Sequence, residues 1–210
     1  MDKPVIILGA KTIGKTAIEI FKSNGVLIFG LLDDDKKLHD TEIGEIPVMG
    51  SLEDPEYRKI MGEKCDVFLA FDDTKLKKSI VKSLVKERKL MPVNAIHNTA
   101  TISESAKLHH GSLINARAVI GADSKIGNHC MINSGAIVEN ECILGDFVQI
   151  GTGSIINSNV TIAEGAFIGT GVTIVSGVEI GKNARVGAGS VVIENIKSGE
   201  TVFGNPAKSV

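Results

Sequence analysis

Gly9-Ala10-Lys11-Thr12-Ile13-Gly14 follows the apolar run Val5-Ile6-Ile7-Leu8 and precedes apolar residues at helical spacing, Ala17, Ile18, Ile20 and Phe21. A glycine at the end of a strand opens backbone N–H groups at a helix start, and such groups bind anions. The stretch lacks the G-x-G-x-x-G order of a dinucleotide loop, so no nicotinamide cofactor is expected. It fits an anion cradle, and it fits an ordinary strand-to-helix turn. Leu31-Leu32 runs into Asp33-Asp34-Asp35, three carboxylates that suit either a binding site or a solvated loop. His39, His97, His109, His110 and His129 show no metal-ligand spacing, so no metal is expected. His109, His110 and His129 are expected on the surface. Cys65, Cys130 and Cys142 form no CxxC pair, which fits a reduced, cytoplasmic protein.

The frame for these residues changes along the chain. Residues 1–92 alternate strand and helix, which predicts a small parallel sheet. Strands are expected at 5–8, 26–32 and 67–71, with a short extended piece at 46–48. Helices are expected at 16–23, at 54–61 with Pro55 in the first turn, and at 75–89. The last would turn Leu76, Ile80, Leu84 and Val85 inward and a lysine-rich face outward.

From Ile96 an aliphatic residue recurs every six positions: Ile96, Ile102, Leu108, Ile114, Ile120, Ile126, and so on through Ile180 and Val186 to Val192. The run holds seventeen hexads with no insertion. A small residue follows four places after most of them, as at Ala118, Ser124, Cys130, Ala136 and Cys142. This period is the signature of a β-helix in which three hexads make one coil and the aliphatic points inward. Cys130 and Cys142 then read as packing residues. Gly121, Gly127, Gly145, Gly151, Gly169, Gly181 and Gly187 directly follow aliphatics and are expected to permit the turns. Residues 93–210 therefore form the second domain, ending in a tail.

The 210 residues carry a net charge of −2, so the totals ask for neither nucleic acid nor an anionic membrane. Aromatics make up 4 %, too few for a base-stacking platform. No apolar run is long enough for membrane insertion, and the amino end does not read as a signal peptide.

Four stretches carry a resemblance: Gly9 to Gly14; Leu31 to Asp34; Val138-Glu139-Asn140-Glu141-Cys142-Ile143-Leu144-Gly145-Asp146-Phe147-Val148-Gln149; and Val202-Phe203-Gly204-Asn205-Pro206-Ala207-Lys208. The chain resembles the left-handed β-helix, hexapeptide-repeat bacterial sugar acetyltransferases that modify sialic acid or nucleotide-linked 4-amino sugars. The resemblance implies a Rossmann-like domain that holds the nucleotide sugar, followed by a left-handed parallel β-helix that forms a homotrimer. Acetyl-CoA would lie between neighbouring helices. It further implies that Ala10, Lys11 and Thr12 face the sugar nucleotide and that Asp33 and Asp34 meet its uracil or ribose. Gln149 would stand beside the thioester. Gly169, Gly171, Gly187 and Gly189 would admit the pantetheine arm, and Lys208 would meet a CoA phosphate.

The same resemblance places a general-base histidine where this chain has Asn140, with Glu141 as its orienting acid. An amide hydrogen-bonds substrate oxygens but accepts no proton at neutral pH. Three readings follow. One is an engineered trap, but the resemblance also implies a second histidine where this chain has Gln149, and one designed change would not alter both positions. Another is a divergent enzyme whose acceptor amine reacts once positioned. The third is a trimeric protein that binds sugar nucleotide and CoA without turnover. The sequence favours an acetyl-CoA-dependent transferase acting on a nucleotide-linked amino sugar in glycan or surface-polysaccharide synthesis. The binding protein is the alternative.

Overall fold

Val5–Leu8 form β1, an apolar strand buried along its whole length, as a central parallel strand requires. In the computed structural model, which describes residues 3–210, β1 pairs in parallel with β2 (Ile28–Leu32) on one side. On its other side it pairs with a strand at Asp66–Leu69. The hairpin β3 (Glu42–Ile43) and β4 (Ile46–Gly50) extends the sheet beyond β2, and Asp66–Leu69 is thus β5. The order is β3-β4-β2-β1-β5. The chain steps outward from β1 and returns to the opposite flank, so the topology reverses between β1 and β5.

Helix α1 (Thr12–Ser23) starts earlier than the apolar spacing predicts. Its first turn is packed through Gly14, where a Cβ would stand 2.3 Å from the Gly9 carbonyl oxygen. Backbone contact there replaces the side-chain signal. Helix α2 (Pro55–Ile60) has Pro55 in its first turn and an Asp54 cap. Helix α3 (Thr74–Arg88) is capped by Asp73, whose Oδ1 accepts the N–H of Lys75 at 2.7 Å and of Leu76 at 3.0 Å. Leu76 and Val85, expected inward, are 45 % and 37 % exposed. Steps of about 100° centre the buried face on Lys77 and Leu84 and leave Leu76 and Val85 at its margins.

This first compact unit runs to Ala95, and the second spans Ile96–Val210. Among the described residues, seventeen two-residue strands follow one another from Ala95–Ile96 to Val191–Val192. The second residue of each is the aliphatic of its hexad. Each of the first fourteen pairs in parallel with the strand eighteen residues on, as Ile132 with Ile150 and Ile150 with Ile168. The result is a three-sided parallel β-helix. A first face carries the strands of Ile96, Ile114, Ile132, Ile150, Ile168 and Val186; a second begins at Ile102 and a third at Leu108. The interior is a column of aliphatics backed by Ala118, Cys130, Ala136 and Cys142, all fully buried. Cys130 and Cys142 pack there and direct their thiols at the carbonyls of Gly145 and Asn157.

Two sequence expectations change. The left-handed residue of each corner lies three places after the aliphatic, and many corners are not glycine: Arg117, Asp123, His129, Glu141, Phe147, Asn159 and Asn183 all have φ near +60°. The glycines directly after the aliphatics serve close stacking instead. A Cβ on Gly151 would stand 2.5 Å from the carbonyl carbon of Gly169 in the next coil. His129, expected on the surface, is 3 % exposed. Its ring stacks on Phe147 with centroids 5.0 Å apart and fills the space above Gly111, so a corner position is covered by its neighbours in the column.

Candidate functional site

The loops after the carboxyl ends of β1, β2 and β5 enclose a cavity of about 530 Å³ in the first unit. It lies where the strand order reverses, the usual binding crevice of an open parallel sheet. Lys11, Thr12, Asp33 and Asp34, singled out in the sequence, all line it. Ala10 is buried beneath it and donates its N–H to Asp33 Oδ2 at 2.8 Å. Leu52, Phe71, Asp72 and Asp73 also line the cavity and were not singled out. Phe71, Asp72 and Asp73 lie on the loop after β5 and Leu52 on the loop after β4, so the sheet topology brings them to the reversal point.

Asp33 is 6 % exposed, which makes it a structural part of this site rather than a solvated loop residue. Oδ1 accepts the N–H of Asp35 at 2.9 Å, and the Asp33 carbonyl contacts His39 Nε2 at 2.7 Å. With the bond from Ala10, this carboxylate ties the loop after β1 to the loop after β2. Asp34 Oδ1 accepts the N–H of Leu52 at 3.0 Å. Lys11 Nζ stands 3.6 Å from Asp35 Oδ2. The amino end of α1 carries no side-chain cap and no acid in its first turn. Its N–H groups at the cavity edge suit an anion, with Lys11 alongside. Two carboxylates beside this edge suit hydroxyl or amide donors.

The second group lies on the β-helix, at the corner between its second and third faces. Asn140 and Glu141 are both exposed there, and Glu141 is the left-handed residue with φ +60°. Asn140 Oδ1 accepts the N–H of Ala122, one coil earlier, at 2.8 Å. Gly121 makes room, because a Cβ there would stand 2.5 Å from that oxygen. An N–H can face only an acceptor, so the outward atom of the amide is Nδ2, a donor. At the next corner Asn128 is held similarly, but its Nδ2 is used internally on Asp146 Oδ1 at 3.0 Å.

The residues marked for an acyl carrier lie elsewhere on the same helix. Gln149, Phe167 and Arg185 follow one another on the outer side of the first face, with Arg185 4.6 Å above the Phe167 ring. Lys208 extends the same sheet, on the strand paired with Thr201–Phe203. Four strand spacings separate Gln149 from Lys208, about 19 Å. The predicted glycines divide. Gly169 and Gly187 are buried, and a Cβ on them would meet Ala188 N at 2.6 Å and the Phe203 ring. Gly171 and Gly189 are exposed, with nothing within 4 Å of a Cβ. They continue a corner of Gly135 and Gly153, between the first and second faces, equally open. Within one chain, Asn140 and Glu141 therefore stand at a different corner from this glycine edge. Among the described residues no group of three or more His, Cys, Asp or Glu is arranged to hold a metal.

Residues 4–84 match the family described as the PglD N-terminal domain, and residues 159–194 match the bacterial transferase hexapeptide family of six repeats. A mutant of perosamine N-acetyltransferase from Caulobacter crescentus, with one histidine changed to asparagine and solved in complex with CoA and GDP-perosamine, is 31% identical. The match covers 100% of this chain and 98% of that one, with a TM-score of 0.90. The acetyltransferase domain of PglB from Neisseria gonorrhoeae, in complex with acetyl coenzyme A, is 28% identical over 100% of both chains, with a TM-score of 0.91. WeeI from Acinetobacter baumannii is 26% identical over 99% of both chains, with a TM-score of 0.87. No curated protein sequence matches the chain significantly.

Proposed function

Because the chain belongs to the bacterial sugar acetyltransferases of the left-handed β-helix family, we propose that it acetylates the amine of a nucleotide-linked amino sugar, with acetyl-CoA as donor. The observation that carries this reading is the cavity at the β1/β5 reversal. It pairs an uncapped helix end and Lys11, suited to phosphate, with the ordered Asp33 and Asp34, suited to a base or ribose. The nucleotide sugar binds there.

The open glycine edge supports CoA binding on the β-helix. Other corners hold Asp, Glu, His and Phe at the same left-handed position, so the turn alone does not demand glycine at 135, 153, 171 and 189. A pantetheine arm can lie against that edge. The dozen or so bonds between its thiol and the pyrophosphate extend to roughly 16 Å. That length suits a thioester beside Gln149 and a phosphate near Lys208. In the transfer, the amine nitrogen bonds the acetyl carbon, the carbon–sulfur bond breaks, and the amine's proton leaves as the CoA thiol is formed.

Asn140 and Glu141 mark the acceptor side of the reaction centre. Their separation from the glycine edge supports a homotrimer in which one chain's glycine edge meets another's Asn140 corner. A monomer in analytical ultracentrifugation at micromolar concentration would remove this two-chain site.

The second reading, a binding protein without turnover, is favoured by the Asn140 amide alone. Its oxygen is occupied by Ala122, and its outward atom accepts no proton. Calorimetric titration with a panel of uridine, guanosine, thymidine and cytidine sugars, with and without CoA, identifies the ligand. Thioester consumption with the sugar that binds then decides. Consumption supports the enzyme, and tight binding of both ligands without consumption supports the binding protein.

A further inference from the structure

The outer face of α3 has no place in the reaction described above. Lys75, Lys78, Lys82 and Lys86 follow one another at spacings of three and four residues. At 3.6 residues per turn they occupy an arc of about 80° and a line about 16 Å long. No acidic position falls within the arc. Lys75, Lys82 and Lys86 are exposed and Lys78 is half-buried, and Lys89, just past the helix end, is exposed too. Among the described residues, Lys75, Lys82, Lys86 and Lys89 form no ion pair. Val85 flanks the stripe at 37 % exposure, and Met91 lies beyond its end at 42 %. The balanced total charge of −2 hides this concentration.

We propose that this face of α3 docks the protein on an anionic lipid surface. Four features select that partner. Lys75, Lys82, Lys86 and Lys89 call for a negative counterpart. It lies on the convex side of a helix, which fits a plane better than a protein groove. It is built from lysines, point charges that suit diffuse lipid headgroups, and lacks the arginines and aromatics that read nucleic acid. Its apolar neighbours Val85 and Met91 suit the boundary between headgroup and acyl chain. Among the described residues no helix is long and apolar enough to cross a membrane, so the contact is peripheral.

The test is co-sedimentation of the full chain with vesicles of phosphatidylcholine alone or with about one third phosphatidylglycerol. The protein should partition onto the anionic vesicles at roughly 0.1 M salt and release at about 0.5 M, where surface charges are screened. Each lysine near such a surface contributes about five-fold in partitioning. The variant with Lys75→Gln, Lys82→Gln, Lys86→Gln and Lys89→Gln should therefore bind about 10²–10³-fold less. Its melting temperature and nucleotide-sugar binding should be unchanged, since none of the four lines the cavity. Equal partitioning onto neutral and anionic vesicles at low salt overturns the proposal. So does a folded quadruple variant that partitions like the parent chain. Retention on heparin without vesicle binding also overturns it, in favour of an acidic macromolecule.

Discussion

Asn140 Oδ1 is bound to the backbone N–H of Ala122 at 2.8 Å, so the amide shows its surroundings a donor and not an acceptor. A residue that the family resemblance puts at the position of a general base is here part of the ladder between coils. That relationship changes what a substitution at this position does.

Asn140→His should raise turnover by roughly 10²-fold or more, the range of a positioned base. It should also lower stability by about 1 kcal/mol. A neutral imidazole has one acceptor nitrogen. If that nitrogen takes the substrate proton, the Ala122 N–H loses its partner. The rate gain should fade below about pH 6.5, where the ring is protonated. Steady-state rates and thermal melts on the same sample check both effects. An unchanged rate with unchanged melting would mean that the ring has simply taken over the Ala122 bond.

Asp33→Asn should weaken nucleotide-sugar binding and cost about 1–3 kcal/mol of stability. Both carboxylate oxygens accept backbone N–H groups, from Ala10 and Asp35, and an amide turns one donor against a donor. The loops after β1 and β2 then lose their tie. Calorimetry with the cognate nucleotide sugar and a melt curve measure the two losses. Full affinity in the variant would place the nucleotide elsewhere.

Ile150→Asp should abolish folding. Ile150 is fully buried in the aliphatic column, between Ile132 and Ile168 of the adjacent coils. An unpaired carboxylate there costs several kcal/mol, on the order of a domain's whole stability. A soluble Ile150→Asp protein with parental circular dichroism and melting would contradict the packing of the helix interior.

Burial pushes the Cys65 and Cys142 thiols above their ordinary range. An unfolded chain ionises them near pH 8.5, and the folded chain keeps them protonated to higher pH. The stability they contribute is full below that value and declines as pH rises above it. Melting temperature should therefore drop more steeply above pH 8.5 than in a Cys65→Ala, Cys142→Ala double variant. Melts across about pH 7–10 test this. Parallel profiles for the two proteins would deny the thiols a role.

Periodic features were open to sequence reading because they repeat one physical constraint. The column from Ile96 to Val192 could be counted, since each coil must put an aliphatic inward. What escaped reading depended on neighbours eighteen residues away. His129 is buried because Phe147 covers it from the next coil. Gly151 is needed because Gly169 lies against it, not because its own backbone is unusual. In the α/β unit, Asp33 was visible as one of three acids, but only the fold distinguishes the carboxylate that ties two loops from the exposed Asp34 beside it. Phe71 and Leu52 enter the cavity through topology, which no local pattern encodes.

The strand at Lys208–Ser209 pairs antiparallel with Thr201–Phe203, while the coils below run parallel. A stack of parallel coils ends in bare strand edges, and such an edge is a template on which another copy can grow. Here the chain turns back on itself and reverses the polarity of the last strand on the first face. A second helix arriving end to end would find an edge of the wrong direction for continuing the parallel ladder. The tail that carries Lys208 thus also ends the parallel ladder on that face.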